Sequence, residues 1–308
     1  MTMLRLAIVG LGKIARDQHL PAVAGLRDIA IAAVVSRNAT LDGVPCFETL
    51  EELFASNIAV DAVALCTPPQ VRRAQAALAL AAGKHVMLEK PPGATVSELA
   101  PLIATARGRG LTLFATWHSR HAPAVEPARA LLAANRPLSV KIDWREDVRV
   151  WHPGQDWIFE AGGLGVFDPG INALSILTRI LPRPVFLRAA GLAFPANREA
   201  PIAAELDLAD ETGLPIRAEF DFLQSGPQSW DMRIETEGGT LMLSAGGAKL
   251  DHDGRALVDE PEAEYPALYR RFVHLVSQRE SDVDLAPLQL VADAFLLGKR
   301  RGVEAFTW

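Results

Sequence analysis

Paired glycines, a proline-flanked lysine and a helix-spaced acid and amide are the residue types in this chain best suited to chemistry. Gly10-Leu11-Gly12-Lys13-Ile14-Ala15 has the form G-x-G-x-x-A. Gly10 and Gly12 permit a tight turn and a close approach of backbone to a pyrophosphate. A helix opening at Lys13 and Ile14 would add unpaired N–H groups and the positive end of its dipole. Ala15 lets that helix pack closely on the preceding strand. Glu89-Lys90-Pro91-Pro92 holds a lysine in a proline-fixed turn with little rotational freedom. A lysine alone at a strand end is ordinarily a solvated charge, so this turn acquires meaning only from its neighbours. Asp168 and Asn172 stand four apart beyond Gly162-Gly163-Leu164-Gly165. In a helix both side chains lie on one face and reach one ligand, although an acid in a first helical turn is also favourable with no ligand at all.

Other residues bear on specificity. Where an NAD enzyme commonly carries an acid for the ribose 2′-hydroxyl, at the end of the second strand, this chain has Ser36-Arg37. A carboxylate would repel a 2′-phosphate, whereas a hydroxyl and a guanidinium fork hydrogen-bond it, so NADP is expected to be accepted and preferred over NAD. Thr67-Pro68-Pro69 is a rigid turn on the same sheet edge, and Glu89 and Lys90 fall there too. Polyhydroxy ligands need converging donors and acceptors and an apolar plate for a C–H face, which makes His118, Glu146, Trp151, His152 and Trp230 candidate sugar contacts beside Lys90, Asp168 and Asn172. His118 and His121 have no third ligand at a suggestive spacing, so no metal site is expected.

The elements that must position these groups follow from hydrophobic period. Short apolar runs at 6–9, 29–35, 62–66, 85–88 and 111–115 alternate with helical stretches such as 70–82. That is the pattern of βαβ units and a doubly wound parallel Rossmann sheet. Beyond about residue 117 the texture changes: 140–145 and 216–222 alternate apolar and charged residues, as a one-faced antiparallel sheet does, with further strands at 185–192, 232–235 and 240–244. Helices are expected near 165–181 and near the end. The fold class is therefore α/β, a dinucleotide-binding domain over 1–118 followed by an α+β domain over 119–308 with a large, mainly antiparallel open sheet.

Bulk properties narrow the partners. With 49% hydrophobic and 22% charged residues the chain can bury substantial cores. A net charge of -6 argues against nucleic acid and anionic membrane. Cys46 and Cys66 form no C-x-x-C pair, which fits a reducing cytoplasm. The early apolar run ends in glycines too soon for a secretory segment, and no run approaches a bilayer span. A small-molecule partner in the cytoplasm is expected.

Taken together, G-x-G-x-x-A, Thr67-Pro68-Pro69, Glu89-Lys90-Pro91 and Gly162-Gly163-Leu164-Gly165-Val166-Phe167-Asp168 resemble the glucose-fructose oxidoreductase, inositol dehydrogenase and MocA family over nearly the whole chain. Trp151-His152-Pro153-Gly154-Gln155-Asp156-Trp157 is most similar to the bacterial aldose 1-dehydrogenases acting on L-arabinose and D-galactose. The resemblance implies that Lys90 touches the hydroxyl being oxidised, that the peptide before Pro91 is often cis, and that the second domain's sheet mediates homodimers or higher homo-oligomers. It implies oxidation of an aldose at C1 to the aldonolactone. Another carbon of an inositol, sugar or diol, or a non-catalytic sugar- and NADP-sensing protein, is the alternative. Family members usually carry histidine where Asn172 stands. Asparagine cannot titrate, which leaves Lys90 and Asp168 as proton acceptors and Asn172 as a positioning group.

Overall fold

The computed structural model describes residues 3–261 and 263–308; Met1, Thr2 and Glu262, which the expected domain spans include, lie outside the described residues. The chain divides into two compact units. One comprises the chain up to His118 together with Tyr265–Asp284, the other Ser119–Glu264 and Leu285–Trp308.

The first unit is built on a six-stranded parallel sheet of β1 (Leu4–Val9), β2 (Ile29–Val35), β3 (Cys46–Phe47), β4 (Ala62–Leu65), β5 (His85–Leu88) and β6 (Leu113–Ala115), in the order β3-β2-β1-β4-β5-β6. The order reverses at β1, whose two neighbours are β2 and β4, and this is the switch point beside which open α/β sheets bind ligands. Central strands are apolar throughout because both faces are covered: β4 is buried along its length, and Val86, Met87 and Leu88 are fully enclosed. The edge strand β3 was not expected from sequence, since two residues carry no readable period.

Assigning everything beyond 118 to the second domain is corrected by the helix Glu264–Gln278, which belongs to the first unit from Tyr265 onward. Tyr265, Leu268, Tyr269, Phe272 and Leu275 recur at helical spacing and enter the core with Leu6, Ile8 and Phe114. Each such side chain contributes roughly 1.5–3 kcal/mol on burial, enough to hold a segment distant in sequence. The segment then extends β6, where Asp282 accepts from Ala115 N–H at 2.9 Å and donates to Leu113 O at 3.0 Å.

The second unit carries a nine-stranded sheet of β7 (Pro137–Arg145), β8 (Val185–Pro195), β9 (Ala203–Asp210), β10 (Ile216–Asp221), β11 (Ser229–Thr236), β12 (Gly239–Ser244), β13 (Lys249–His252), β14 (Arg255–Asp259) and β15 (Lys299–Val303). Its order is β14-β13-β12-β11-β7-β10-β9-β8-β15. The sheet is mainly antiparallel, but β7–β10 and β8–β15 pair in parallel, which period-two alternation alone does not distinguish. Along β7, Val140, Ile142 and Trp144 point inward while Lys141, Asp143 and Arg145 lie on the open face. The inner face is covered by the helix Phe167–Ile180, brought so close that a Cβ on Gly170 would lie 2.7 Å from the Phe220 ring. Strand β9, rich in alanine and acids, lacks the β-branched residues that mark strands in sequence, and β13 to β15 are only four or five residues long.

Candidate active site

In the first unit the carboxyl ends of the parallel strands carry the candidates: Gly10 and Gly12 after β1, Ser36 and Arg37 after β2, Thr67 and Pro68 after β4, Glu89 and Lys90 after β5. Gly10 has φ +89°, and a Cβ there would lie 2.9 Å from Thr67 Cγ2 and 3.0 Å from Thr67 N, so glycine is required for the first and fourth strand ends to meet. Gly12 differs: a Cβ there would meet no protein atom within 4 Å. Packing within the chain does not explain that glycine, whereas close approach of a pyrophosphate to the helical turn beginning at Lys13 does, and the residues present fit a dinucleotide. Lys13 is ion-paired with Asp17 on the surface, and Ile14 is 36% exposed, an apolar side chain left at the mouth of the glycine turn. Ser36 is fixed by its N–H to Phe47 O at 2.8 Å, the bond that makes the short β3 useful, and Arg37 beside it is exposed.

Lys90 is half-buried, its peptide bond to Pro91 is cis, and its N–H donates to Glu89 Oε2 at 2.6 Å. The other carboxylate oxygen, Oε1, accepts from the Tyr265 hydroxyl at 2.7 Å and lies 3.1 Å from His19 Nε2. His19 Nδ1 is 2.7 Å from the Tyr269 hydroxyl. The chain has only two tyrosines, and both serve this network from adjacent turns of one helix. Burial opposes charge on both His19 and Glu89. It is outweighed at Glu89, held down at about 2, by the hydrogen bond and charge of His19, by the charge of His118 and by the Tyr265 hydroxyl. It is outweighed at His19, drawn well above the usual histidine range, by interactions with Cys66 and Tyr269 and by the hydrogen bond to Glu89. Burial pushes Tyr269 up to about 12, so its hydroxyl stays intact. His118, placed among the sugar contacts by sequence, belongs to the first unit and stacks on Tyr265 with ring centroids 5.3 Å apart.

Arg72 was not singled out by sequence. It is 3% exposed on the helix Pro69–Ala81, and its guanidinium donates to the carbonyls of Thr67, Glu89 and Pro91. One side chain thus ties the turn after β4 to both sides of Lys90. Thr67 also donates its hydroxyl to Gln75 Oε1 at 2.5 Å. As one of two adjacent arginines in a helical stretch, Arg72 reads in sequence as a solvated charge; the signal was its place one turn after Thr67-Pro68.

In the second unit the structure brings five candidates together. Glu146, one residue past β7, is anchored by its N–H to Asp221 O at 2.9 Å and accepts Trp230 Nε1–H on Oε2 at 2.9 Å. Its Oε1 is 3.7 Å from His152 Nε2, which is also 3.5 Å from Asp168 Oδ2. His152 ends a helical turn, Val148–Trp151, capped by Asp147, whose side chain accepts Arg149 N–H at 2.9 Å. Trp151 meets Trp230 edge to face at 5.4 Å and is 42% exposed. Asp168 lies in the first turn of Phe167–Ile180, with Asn172 half-buried one turn on. The glycines before the helix admit backbone contact: Gly165 has φ +55°, and a Cβ there would lie 2.2 Å from Pro201 O. Chemically the cluster offers two buried carboxylates, a histidine between them and indole edges, a set that binds hydroxyls and moves protons. Among the described residues no group of three His, Cys, Asp or Glu has the geometry to hold a metal ion.

A parallel sheet of this order with a glycine turn open to a pyrophosphate after its first strand is the architecture of a dinucleotide-binding domain. Residues 4–116 match the family described as "Oxidoreductase family, NAD-binding Rossmann fold" (GFO_IDH_MocA). Over its full length the chain is 47% identical to a galactose 1-dehydrogenase of Pseudomonas fluorescens, covering 99% of each. It belongs to this oxidoreductase family, the one its motifs resembled, and its cofactor is a nicotinamide dinucleotide. The solved D-galactose-1-dehydrogenase of Rhizobium etli is similar at 58% identity and TM-score 0.96, covering 100% of this chain and 99% of that one. A 3-ketoreductase of Actinomadura kijaniata, solved with NADP and TDP-benzene, shares the fold at 20% identity and TM-score 0.85 over 98% of this chain and 100% of that one.

Proposed function

We propose that the chain oxidises an aldopyranose, D-galactose or L-arabinose, at C1 to the aldonolactone. The observation that carries this reading is full-length similarity to galactose 1-dehydrogenases, at 47% and 58% identity. The cluster of Glu146, His152, Asp168 and Trp230 supports it as a polar, indole-edged set suited to a sugar. L-Arabinopyranose is D-galactopyranose without its exocyclic carbon, so one arrangement of donors and acceptors serves both.

When bound, the oxidised nicotinamide ring supplies the hydride acceptor. Gly10, Gly12, Lys13 and Ile14 hold the pyrophosphate, Ser36 and Arg37 the 2′-phosphate of NADP, and Thr67, Pro68, Glu89 and Lys90 the nicotinamide end. Lys90 polarises the C1 hydroxyl as an ammonium donor, Asp168 takes its proton, and Asn172 fixes a neighbouring hydroxyl. His118, Glu146, Trp151, His152 and Trp230 complete the sugar contacts. The reading includes a homo-oligomer through the second unit's open sheet face and a cytoplasmic location; no helix among the described residues is long and apolar enough to cross a membrane.

Initial rates of NADPH and NADH formation over a panel of pentoses, hexoses and inositols, with the product captured as lactone, test the proposal. D-Galactose and L-arabinose are expected to lead and D-glucose, the C4 epimer of galactose, to trail. Turnover confined to inositols or diols, or dinucleotide and sugar binding without turnover, overturns it.

A further inference from the structure

We propose that His152 is the proton exit of the second unit's carboxylate pair, carrying the proton of the oxidised hydroxyl from Asp168 to water; this rests on the reading that Asp168 takes that proton. The Asp168 side chain is 5% exposed and that of Glu146 7%, whereas that of His152 is 20% exposed with Nε2 3.5 Å from Asp168 Oδ2. A proton delivered to a buried carboxylate must be passed on before the next turnover, and His152 is a titratable neighbour with access to solvent. Asn172, one turn from Asp168, cannot accept it.

The surroundings hold the imidazole for this task. Trp230 Nε1–H fixes Glu146 Oε2 at 2.9 Å, leaving Oε1 directed at His152 at 3.7 Å. The ring meets Phe222 edgewise at 5.8 Å, and His152 N–H bonds Val148 O at 2.8 Å. Glu146 beyond β7 and Asp168 on its helix face the ring, while Asp147 and Arg149, on its own turn, pair with each other at 2.9 Å. Separations of 3.5 and 3.7 Å are longer than a hydrogen bond and close with a small ring rotation or one bridging water.

The transfers balance. The C1 O–H bond breaks and its proton goes to Asp168, the C1–H electron pair leaves as hydride for the oxidised nicotinamide dinucleotide, and the C=O bond forms. The new O–H bond on Asp168 then breaks as an N–H bond forms on His152 Nε2. An imidazole is ordinarily the stronger base of the two. Imidazolium releases the proton to water and both groups return to their starting forms. A His152 already protonated cannot accept, so turnover falls on the acid side of its titration.

The test combines kinetics with a titration that needs no turnover. His152→Gln is expected to lower kcat about 10²-fold, well beyond the change in KM for D-galactose that loss of a sugar contact brings, and to lose the acid limb of the kcat profile. Imidazole is expected to restore turnover to His152→Ala. In the dinucleotide-free protein, NMR of ¹⁵N-labelled histidines should show the His152 titration moving down from wild type to Asp168→Asn. A retained acid limb and kcat in His152→Gln, a loss confined to KM, or a His152 titration indifferent to Asp168→Asn overturns the proposal. Full turnover in Asp168→Asn instead overturns the reading beneath it, which keeps the two failures distinct.

Discussion

The Tyr265 hydroxyl donates to Glu89 Oε1 at 2.7 Å across 176 residues of sequence, and through Glu89 Oε2 it supports the backbone N–H of Lys90. A carboxylate buried beside a histidine, with a tyrosine as a further donor, holds one orientation, and the lysine turn inherits it.

That carboxylate makes stability depend on acid. Glu89 falls from an ordinary value of 4.5 to about 2 in the folded chain. A depressed folded value contributes stability that is complete above the unfolded titration and is lost as pH falls toward the folded one. Wild type is therefore expected to lose about 3 kcal/mol between roughly pH 5 and pH 2 through this group. Glu89→Gln should be less stable at neutral pH and lack that part of the decline. Urea unfolding across this pH range measures it, and equal slopes in both proteins would refute the assignment.

Arg37 is exposed just past the end of β2, and the proposal assigns its guanidinium to the 2′-phosphate of NADP. Arg37→Ala is expected to weaken NADP by about 1.5–3 kcal/mol, the size of a hydrogen bond to a charged group, and to spare NAD. Fluorescence titration with both dinucleotides checks this; equal loss for the two would count against it.

Arg72 ties the Thr67 turn to the Lys90 turn through buried carbonyls. Arg72→Ala leaves those acceptors unpaired and should cost about 3 kcal/mol or more of folding stability. In whatever fraction remains folded, kcat should fall further than dinucleotide affinity. Arg72→Lys restores the charge but not the fork and should recover only part of either. A wild-type kcat in Arg72→Ala would show that the turns hold without it.

Lys90→Met keeps length and loses the charge and the donor. Turnover is expected to fall about 10²- to 10⁴-fold, the usual contribution of a positioned acid–base group, with dinucleotide binding retained. Stopped-flow measurement of hydride transfer separates this from slow product release, and unchanged turnover would remove Lys90 from the chemistry.

Legibility in the sequence followed periodicity. The central strands β1, β2, β4 and β5 announce themselves because burial on both faces demands unbroken apolar runs between turn residues. The alternation of β7 and β10 announces one covered face in the same way. The two-residue β3 and the short β13 to β15 carry no period long enough to read. In the second half, Glu146, Trp151, His152, Asp168 and Trp230 could each be proposed from residue type, but not that one histidine nitrogen would lie 3.5 Å and 3.7 Å from two carboxylates.

The sequence by itself determined the dinucleotide-binding architecture, the glycine turn and the placement of Lys90 on its sheet edge, because these depend on local conformation and hydrophobic period. Only the tertiary structure decided that Tyr265, Tyr269 and His19 would enclose Glu89, that Arg72 would clasp three carbonyls, and that Tyr265–Asp284 would belong to the first unit. The physical reason is that burial strips these polar groups of water, so each is satisfied by whichever partner packing brings within reach, and packing joins residues that sequence distance keeps apart.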